Sequence, residues 1–302
     1  MFSSVSETPG DAARDLPRTR RAPAGLASQP ISVVPSTASI RSDVHAVVIG
    51  IGSYEADLPG LPSARNDAQL VRTYLRKMVG APEENIRFLR DGEASYLSLK
   101  ETFESWLPRR VRTDDLVLVY FAGHGVTDPG DRKAYLMPYD GRPGQARATG
   151  FELAQVRTYL EDLRTDRSVL MLDTCFSGEG RSVSAPGTRS AAVIIEGPLV
   201  APAGRAKGAR TVVLASAGSQ QVAHSLDTEG HGLFTYYLLS ALRGQGDREP
   251  SGNGDGWVDV SEAFAYLSRE VDRRSRREFG RPQNPEMHPA QISDPIRLTR
   301  VP

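Results

Sequence analysis

One cysteine, Cys175, stands in 302 residues, so the chain can form no internal disulfide and no cysteine-rich zinc site. Histidine is also scarce, with five scattered along the chain, which argues against a histidine-based metal cluster. No apolar run approaches the ~20 residues that a membrane-spanning helix needs. The N-terminus lacks the apolar core of a secretory signal. Neither sign of charge prevails: 37 basic residues face 37 acidic ones, so nothing draws the whole molecule to nucleic acid or to an anionic membrane. A free thiol without a secretory signal points to the reducing cytoplasm.

Residues 1–42 are rich in Pro, Ala, Arg and Ser and show no apolar period, which predicts a disordered leader. From residue 43 to about 300 the pattern changes to alternating strand and helix. "HAVVIGIG" and "DLVLVYFAG" are continuous apolar runs, as expected of strands buried on both faces. Between them, Leu70, Val71, Tyr74, Leu75 and Met78 keep helical spacing, "NIRFLRD" predicts a short strand, and "LSLKETFESWL" a second helix. "KAYLMPYD" predicts a hairpin or strand, "ELAQVRTYLEDL" a third helix and "SVLMLD" a fourth strand ending near Cys175. Residues 177–210 break the rhythm with Gly, Pro, Ser and Arg, and a loop of that length is usually functional or disordered. "TVVLASAG" resumes as a strand, "GLFTYYLLSALRG" as a helix, and a last helix runs from about residue 259 to 279; "DPIRLTR" is a candidate edge strand. No internal repeat is present. Such alternation predicts an α/β fold: a mostly parallel sheet covered by helices on both faces.

In such a sheet, sites form beyond the carboxyl ends of the strands. Asp67, at the start of the first helix, His124, in "YFAGHG", and Cys175, in "LMLDTCFSG", all fall there. If the third and fourth strands are neighbours, about 5 Å separates their ends. A thiol and an imidazole facing one another are the minimum for covalent acyl transfer: the ring takes the thiol proton and later protonates the leaving amine. Gly123 and Gly125 flank His124, and the amides of Gly125 and Cys175 are candidates for an oxyanion hole. The plain alternative is a glycine-rich turn with a small cysteine packed as a hydrophobe.

These segments resemble the caspase–metacaspase family of cysteine peptidases. The likeness spans nearly all of residues 44–300, through "HAVVIGIGSY", "RNDAQLV", "DLVLVYFAGHG", "LMLDTCFSG" and "HGLFTYYLL" in family order. The resemblance implies a caspase-like three-layer sandwich and a dyad of His124 and Cys175, with Gly125 and Cys175 giving the oxyanion-hole amides. Caspases that cut after aspartate carry glutamine two places before the nucleophile. This chain has Asp173 there, as metacaspases do, and Asp67 matches their other pocket aspartate. The resemblance therefore implies protein or peptide substrates with Arg or Lys at the cleavage site. A carboxylate beside a thiol disfavours the thiolate, so Asp173 makes sense if a cationic substrate group neutralises it. Both aspartates are then expected on a solvent-filled cleft floor. The plain alternatives are a helix N-terminal carboxylate for Asp67 and a strand-end turn residue for Asp173. Ala122 stands where metacaspases often have serine, which removes one hydroxyl from the expected pocket. A second G-H-G, at His231, opens a helix and is expected to pack or cap there. The family includes monomers and dimers, so the oligomeric state stays open, as does a caspase-fold adaptor without proteolysis.

Two further features are distinct from the dyad. "SGNGDGWVDVSE" resembles an EF-hand loop, with Asn253, Asp255 and Glu262 as candidate calcium ligands, but Ser251 stands at position 1, which calls for an aspartate. A Gly/Asn/Asp turn capping the last helix is the alternative. No cofactor is required by the sequence, although many metacaspases need calcium at a different acidic loop. The 177–210 loop carries Arg181, Arg189, Arg205, Lys207 and Arg210, and residues 18–21 add more arginine. An enzyme cutting after Arg would hold these as tethered candidate sites for self-cleavage.

Overall fold

The computed structural model describes residues 29–56, 58–174, 211–218, 221, 223–226 and 228–301, with the backbone alone at 176–177. Cys175, residues 1–28 and most of the loop expected at 177–210 lie outside the described residues.

In chain order, β1 (Val44–Gly50), α1 (Pro62–Tyr74), β2 (Ile86–Arg90), α2 (Tyr96–Glu101) and β3 (Leu116–Ala122) come first. Three short strands follow, β4 (Gly125–Thr127), β5 (Ala134–Leu136) and β6 (Phe151–Glu152), with the brief helix α3 (Ala146–Thr149) before β6. Then come α4 (Leu153–Glu161), β7 (Arg167–Asp173), β8 (Phe176–Ser177) and β9 (Thr211–Ala215). The C-terminal part contains β10 (Ser225–Leu226), β11 (His231–Gly232), α5 (Leu233–Ser240), β12 (Trp257–Asp259), α6 (Val260–Phe279), β13 (Glu286–His288) and β14 (Arg297–Arg300).

The main sheet has the order β13-β9-β7-β3-β1-β2 and is parallel except for β13, which runs antiparallel to β9. Every residue of β1 and β3 is buried, as their unbroken apolar runs require of strands covered on both faces. Alternate side chains feed two cores. Ala46, Val48, Leu118, Tyr120 and Ala122 face the layer of α1, α5 and α6, while Val47, Ile49, Val117, Val119 and Phe121 face α2 and α4. The result is the three-layer sandwich. Gly50 has to be glycine: a Cβ there would lie 2.3 Å from that of Ala68 and 2.8 Å from the Ala64 carbonyl oxygen, so α1 packs directly on the β1 backbone.

Two expectations change in detail. "DPIRLTR" gives β14, but it pairs with β12 in a separate two-stranded ribbon; the edge of the main sheet is β13. The leader is not featureless up to residue 42. Tyr74 donates from its hydroxyl to the Ile31 carbonyl at 2.8 Å, Arg243 donates to the carbonyls of Gln29 and Pro30, and Ile31 is buried. One apolar residue and several carbonyls suffice to fix this strap, and composition averages over both. Beyond these, α1 and α2 each run on through a π-helical turn, Leu75–Val79 and Thr102–Trp106. Among the described residues, no helix is long and apolar enough to cross a membrane.

Candidate active site

The order of the sheet places a switch point between β1 and β3, since the chain goes from β1 to β2 on one side and then returns to β3 on the other. Crevices that bind ligands open at the carboxyl ends of strands at such points. The third and fourth predicted strands, β3 and β7, are indeed neighbours, in parallel register with Ala122 opposite Asp173. His124 follows the first of these ends by two residues.

His124 is buried and held by contacts to its ring, its amide and its carbonyl. Its Nε2 lies 2.8 Å from the Pro59 carbonyl oxygen. A carbonyl can only accept, so Nε2 carries the proton, and in the neutral ring the lone pair is on Nδ1. The His124 amide donates to the Tyr54 hydroxyl at 2.7 Å, and the two rings lie 5.2 Å apart. The Met137 amide donates to the His124 carbonyl at 2.9 Å. Gly123 makes this possible: a Cβ there would come within 2.8 Å of the Tyr54 hydroxyl. Both Tyr54 and Pro59 come from the segment after β1. That segment is pinned by Asp91, whose Oδ1 accepts the amides of Gly52 and Ser53 at 2.8 and 3.0 Å.

Cys175 is flanked by described backbone. Before it, Thr174 is buried, and its carbonyl accepts the Ser216 hydroxyl at 3.0 Å. After it, β8 pairs with β4 in parallel, with Phe176 opposite Gly125. The residues that follow the candidate base and the candidate nucleophile are thus registered opposite one another.

Asp67 and Asp173 are both fully buried, so neither stands on the solvent-filled floor expected from the sequence. Asp67 sits in the second turn of α1; its Oδ1 lies 2.8 Å from Nδ1 of His231 and its Oδ2 accepts the Gly232 amide at 3.0 Å. Asp173 accepts the Thr235 hydroxyl at 2.6 Å. Threonine has one hydroxyl proton, so the 2.6 Å contact between Tyr120 and Thr235 is a donation from tyrosine. The two carboxylates therefore converge on one place, the first turn of α5, with Gly232 as its N-cap and Thr235 three residues later. A helix N-terminus favours negative charge there. His231, expected only to pack or cap, is the partner of Asp67.

Tyr54, Pro59 and Thr235 were not legible as site residues. Pro59 acts through its carbonyl, which leaves no trace in side-chain type, and Tyr54 and Thr235 are common residues inside segments whose family likeness was visible only as a whole. The calcium candidates lie apart, Asn253 and Asp255 between α5 and α6 and Glu262 in the first turn of α6. Among the described residues, no group of three or more His, Cys, Asp or Glu side chains is arranged to hold a metal ion.

Residues 43–296 match the family model Peptidase_C14, described as the caspase domain. No curated protein matches the chain. Among solved structures, it is similar to caspase-1 from Spodoptera frugiperda, with 12% identity, a TM-score of 0.54, and coverage of 99% of this chain and 98% of that one. It is also similar to protein GSU0716 from Geobacter sulfurreducens, with 12% identity, a TM-score of 0.55, and coverage of 86% of this chain and 97% of that one.

Proposed function

The chain belongs to the caspase-domain peptidase family, and on that premise we propose that it is a cysteine endopeptidase cutting after Arg or Lys through Cys175 and His124. The observation that carries the mechanism is the bond from His124 Nε2 to the Pro59 carbonyl. It fixes the tautomer in which Nδ1 can accept a proton, as a general base must. In this reading Nδ1 takes the Cys175 thiol proton, and the thiolate attacks the carbonyl carbon of the scissile peptide. The amides of Gly125 and Cys175 receive the oxyanion. His124 then protonates the leaving amine, a thioester remains on Cys175, and water activated by the same ring releases the acid.

The specificity rests on charge. Asp67 and Asp173 meet at the start of α5, where Asp67 bonds His231 and the Gly232 amide and Asp173 accepts the Thr235 hydroxyl. A guanidinium or ammonium entering beside them is favoured, and an acidic side chain is repelled. Self-cleavage in the 177–210 segment follows as a corollary, because it joins the nucleophile to β9.

The test is hydrolysis of matched fluorogenic peptides ending in Arg, Lys or Asp. Turnover of Arg and Lys peptides, little with Asp, and none in Cys175→Ala is expected. Equal rates on Arg and Asp would reject the specificity, and no hydrolysis of any peptide would favour the adaptor reading.

A further inference from the structure

The peptidase reading leaves one built segment unused, the loop between the helical turn after α5 and helix α6, residues 246–259. We propose that this loop binds a single calcium ion, with Asp247 as its principal carboxylate ligand in the place that the sequence frame gives to Ser251.

The sequence frame begins four residues too late for its own chemistry. Position 1 should supply a carboxylate, and Ser251 cannot. The structure folds Asp247 into that role. Its Oδ2 accepts the amide of Gly256, the glycine at the loop's tight turn, at 3.1 Å, and its backbone carbonyl accepts the Gly254 amide at 3.0 Å. Gly252 packs so closely that a Cβ there would lie 2.4 Å from the Asp247 Cα. Gly254 and Gly256 have φ of 73° and 85°, which glycine adopts without strain.

The independent sign of a ligand is an oxygen with nothing to do. Asp247 is only 7% exposed; the amides of Gly256, Gly254 and Asp255 face its carboxyl, yet its Oδ1 is buried with no hydrogen-bond partner among the described residues. The Ser251 hydroxyl is buried and also has no partner among the described residues. A buried, unpaired carboxylate oxygen is costly unless something neutralises it. Nearby, Glu262 is 7% exposed and accepts the amides of Asn253 and Asp259 at 3.0 and 3.1 Å, one on each oxygen. Burial holds both the Asp247 and Glu262 carboxyls above the usual carboxylate range, and the charge of Asp255 adds to this at Asp247. Asp255 itself is turned to other work: Oδ1 accepts the Trp257 amide at 2.9 Å and Oδ2 lies 3.5 Å from Arg297.

The donor set is therefore two carboxylates, Asp247 and Glu262, with neutral oxygens from Ser251 and from Asn253, whose side-chain oxygen also accepts the Asp255 amide at 2.8 Å and keeps a second lone pair. All are hard oxygens, which excludes a preference for zinc or copper and suits calcium. With only two carboxylates, the dissociation constant belongs at the weak end of such loops, about 10⁻⁴ to 10⁻³ M. None of this depends on the dyad.

Terbium chloride is the probe, because Trp257 lies inside the loop and can sensitise its luminescence. With the full chain, we expect saturable luminescence that millimolar calcium chloride displaces. Asp247→Asn should weaken terbium binding at least about tenfold, and Ser251→Asp, which restores a third carboxylate, should tighten it about tenfold. Asp128→Asn, at a surface pair with Arg147, should change nothing. Absence of sensitised luminescence, or unaltered binding in Asp247→Asn, overturns the proposal. Should Asp247→Asn fail to fold by circular dichroism, unaltered affinity in Ser251→Asp overturns it instead.

Discussion

His224 is the residue whose chemistry is most at odds with its place. It is 1% exposed, its ring stacks on Phe279 at 4.2 Å, and neither ring nitrogen has a hydrogen-bond partner among the described residues. Burial, aided by the charge of Arg281, pushes its pKa down to about 4 from 6.5. Between those values the unfolded chain binds a proton that the folded chain refuses, so this residue lowers stability as pH falls from about 6.5 to about 4, and adds no further slope below that. The full loss is about 3 kcal/mol. Replacing His224 by Phe, which keeps the stack, should flatten the decline in denaturation midpoint across that window; an unchanged slope would show that other groups set it. A different single-residue test concerns Tyr54. Its hydroxyl accepts the His124 amide, so Tyr54→Phe should keep the melting temperature within a few degrees but lower kcat on Arg peptides about tenfold, with KM little changed. A rise in KM alone would assign Tyr54 to substrate contact rather than to positioning the base.

At the scale of elements, capping gives the cleanest prediction. Helix α6 opens with a capping box, in which Asp259 accepts the Glu262 amide at 2.9 Å while Glu262 accepts that of Asp259, and it closes on Gly280 at φ 65°. Asp259→Ala should cost about 1 kcal/mol, read as a lower melting temperature, while Asp272→Ala further along the exposed face should cost much less. Elements of this kind were legible because each carries its own period: the helical spacing of Leu70, Val71 and Tyr74 in α1 and the apolar runs of β1, β3 and β7. The neighbourhood of β3 and β7, on which the site depends, entered the sequence reading only as a condition, and the parallel register of Ala122 with Asp173 meets it. What the sequence did not reveal was pairing between short, polar pieces. The ribbon of β12 and β14 and the strap at residues 29–42 are held by carbonyls and single side chains, and no periodicity announces those. The same holds within the site. Asp67 and Asp173 could be singled out by motif, but their convergence on the first turn of α5 required Gly232 and Thr235, residues whose types alone say nothing.

At the scale of the whole molecule, the chain order and the sheet order disagree in a way that bears on self-processing. Residues 177–210 separate β7 from β9 in sequence, yet these strands are adjacent in the main sheet, paired in parallel from Ser168 opposite Thr211 to Leu172 opposite Ala215. A cut in "AGRAKGAR" would therefore divide the chain through the middle of one sheet, with β1, β2, β3 and β7 on one piece and β9 and β13 on the other. The helical layer is shared as well: α1 on the first piece packs in the same core as α5 and α6 on the second. The carboxylates follow the same division, since Asp67 and Asp173 belong to the first piece and their partners His231, Gly232 and Thr235 to the second. An interface made of a full strand pair and a common core resembles a domain interior cut in half, which stays closed without a covalent link. Wild-type protein incubated to completion should thus run as two fragments on a denaturing gel, but elute as one species of the intact mass on size exclusion and keep its Arg-peptide activity. Cys175→Ala should stay a single chain throughout. Fragments that separate without denaturant would show that the sheet does not hold across β7 and β9, and cleavage that persists in Cys175→Ala would assign the cut to another protease.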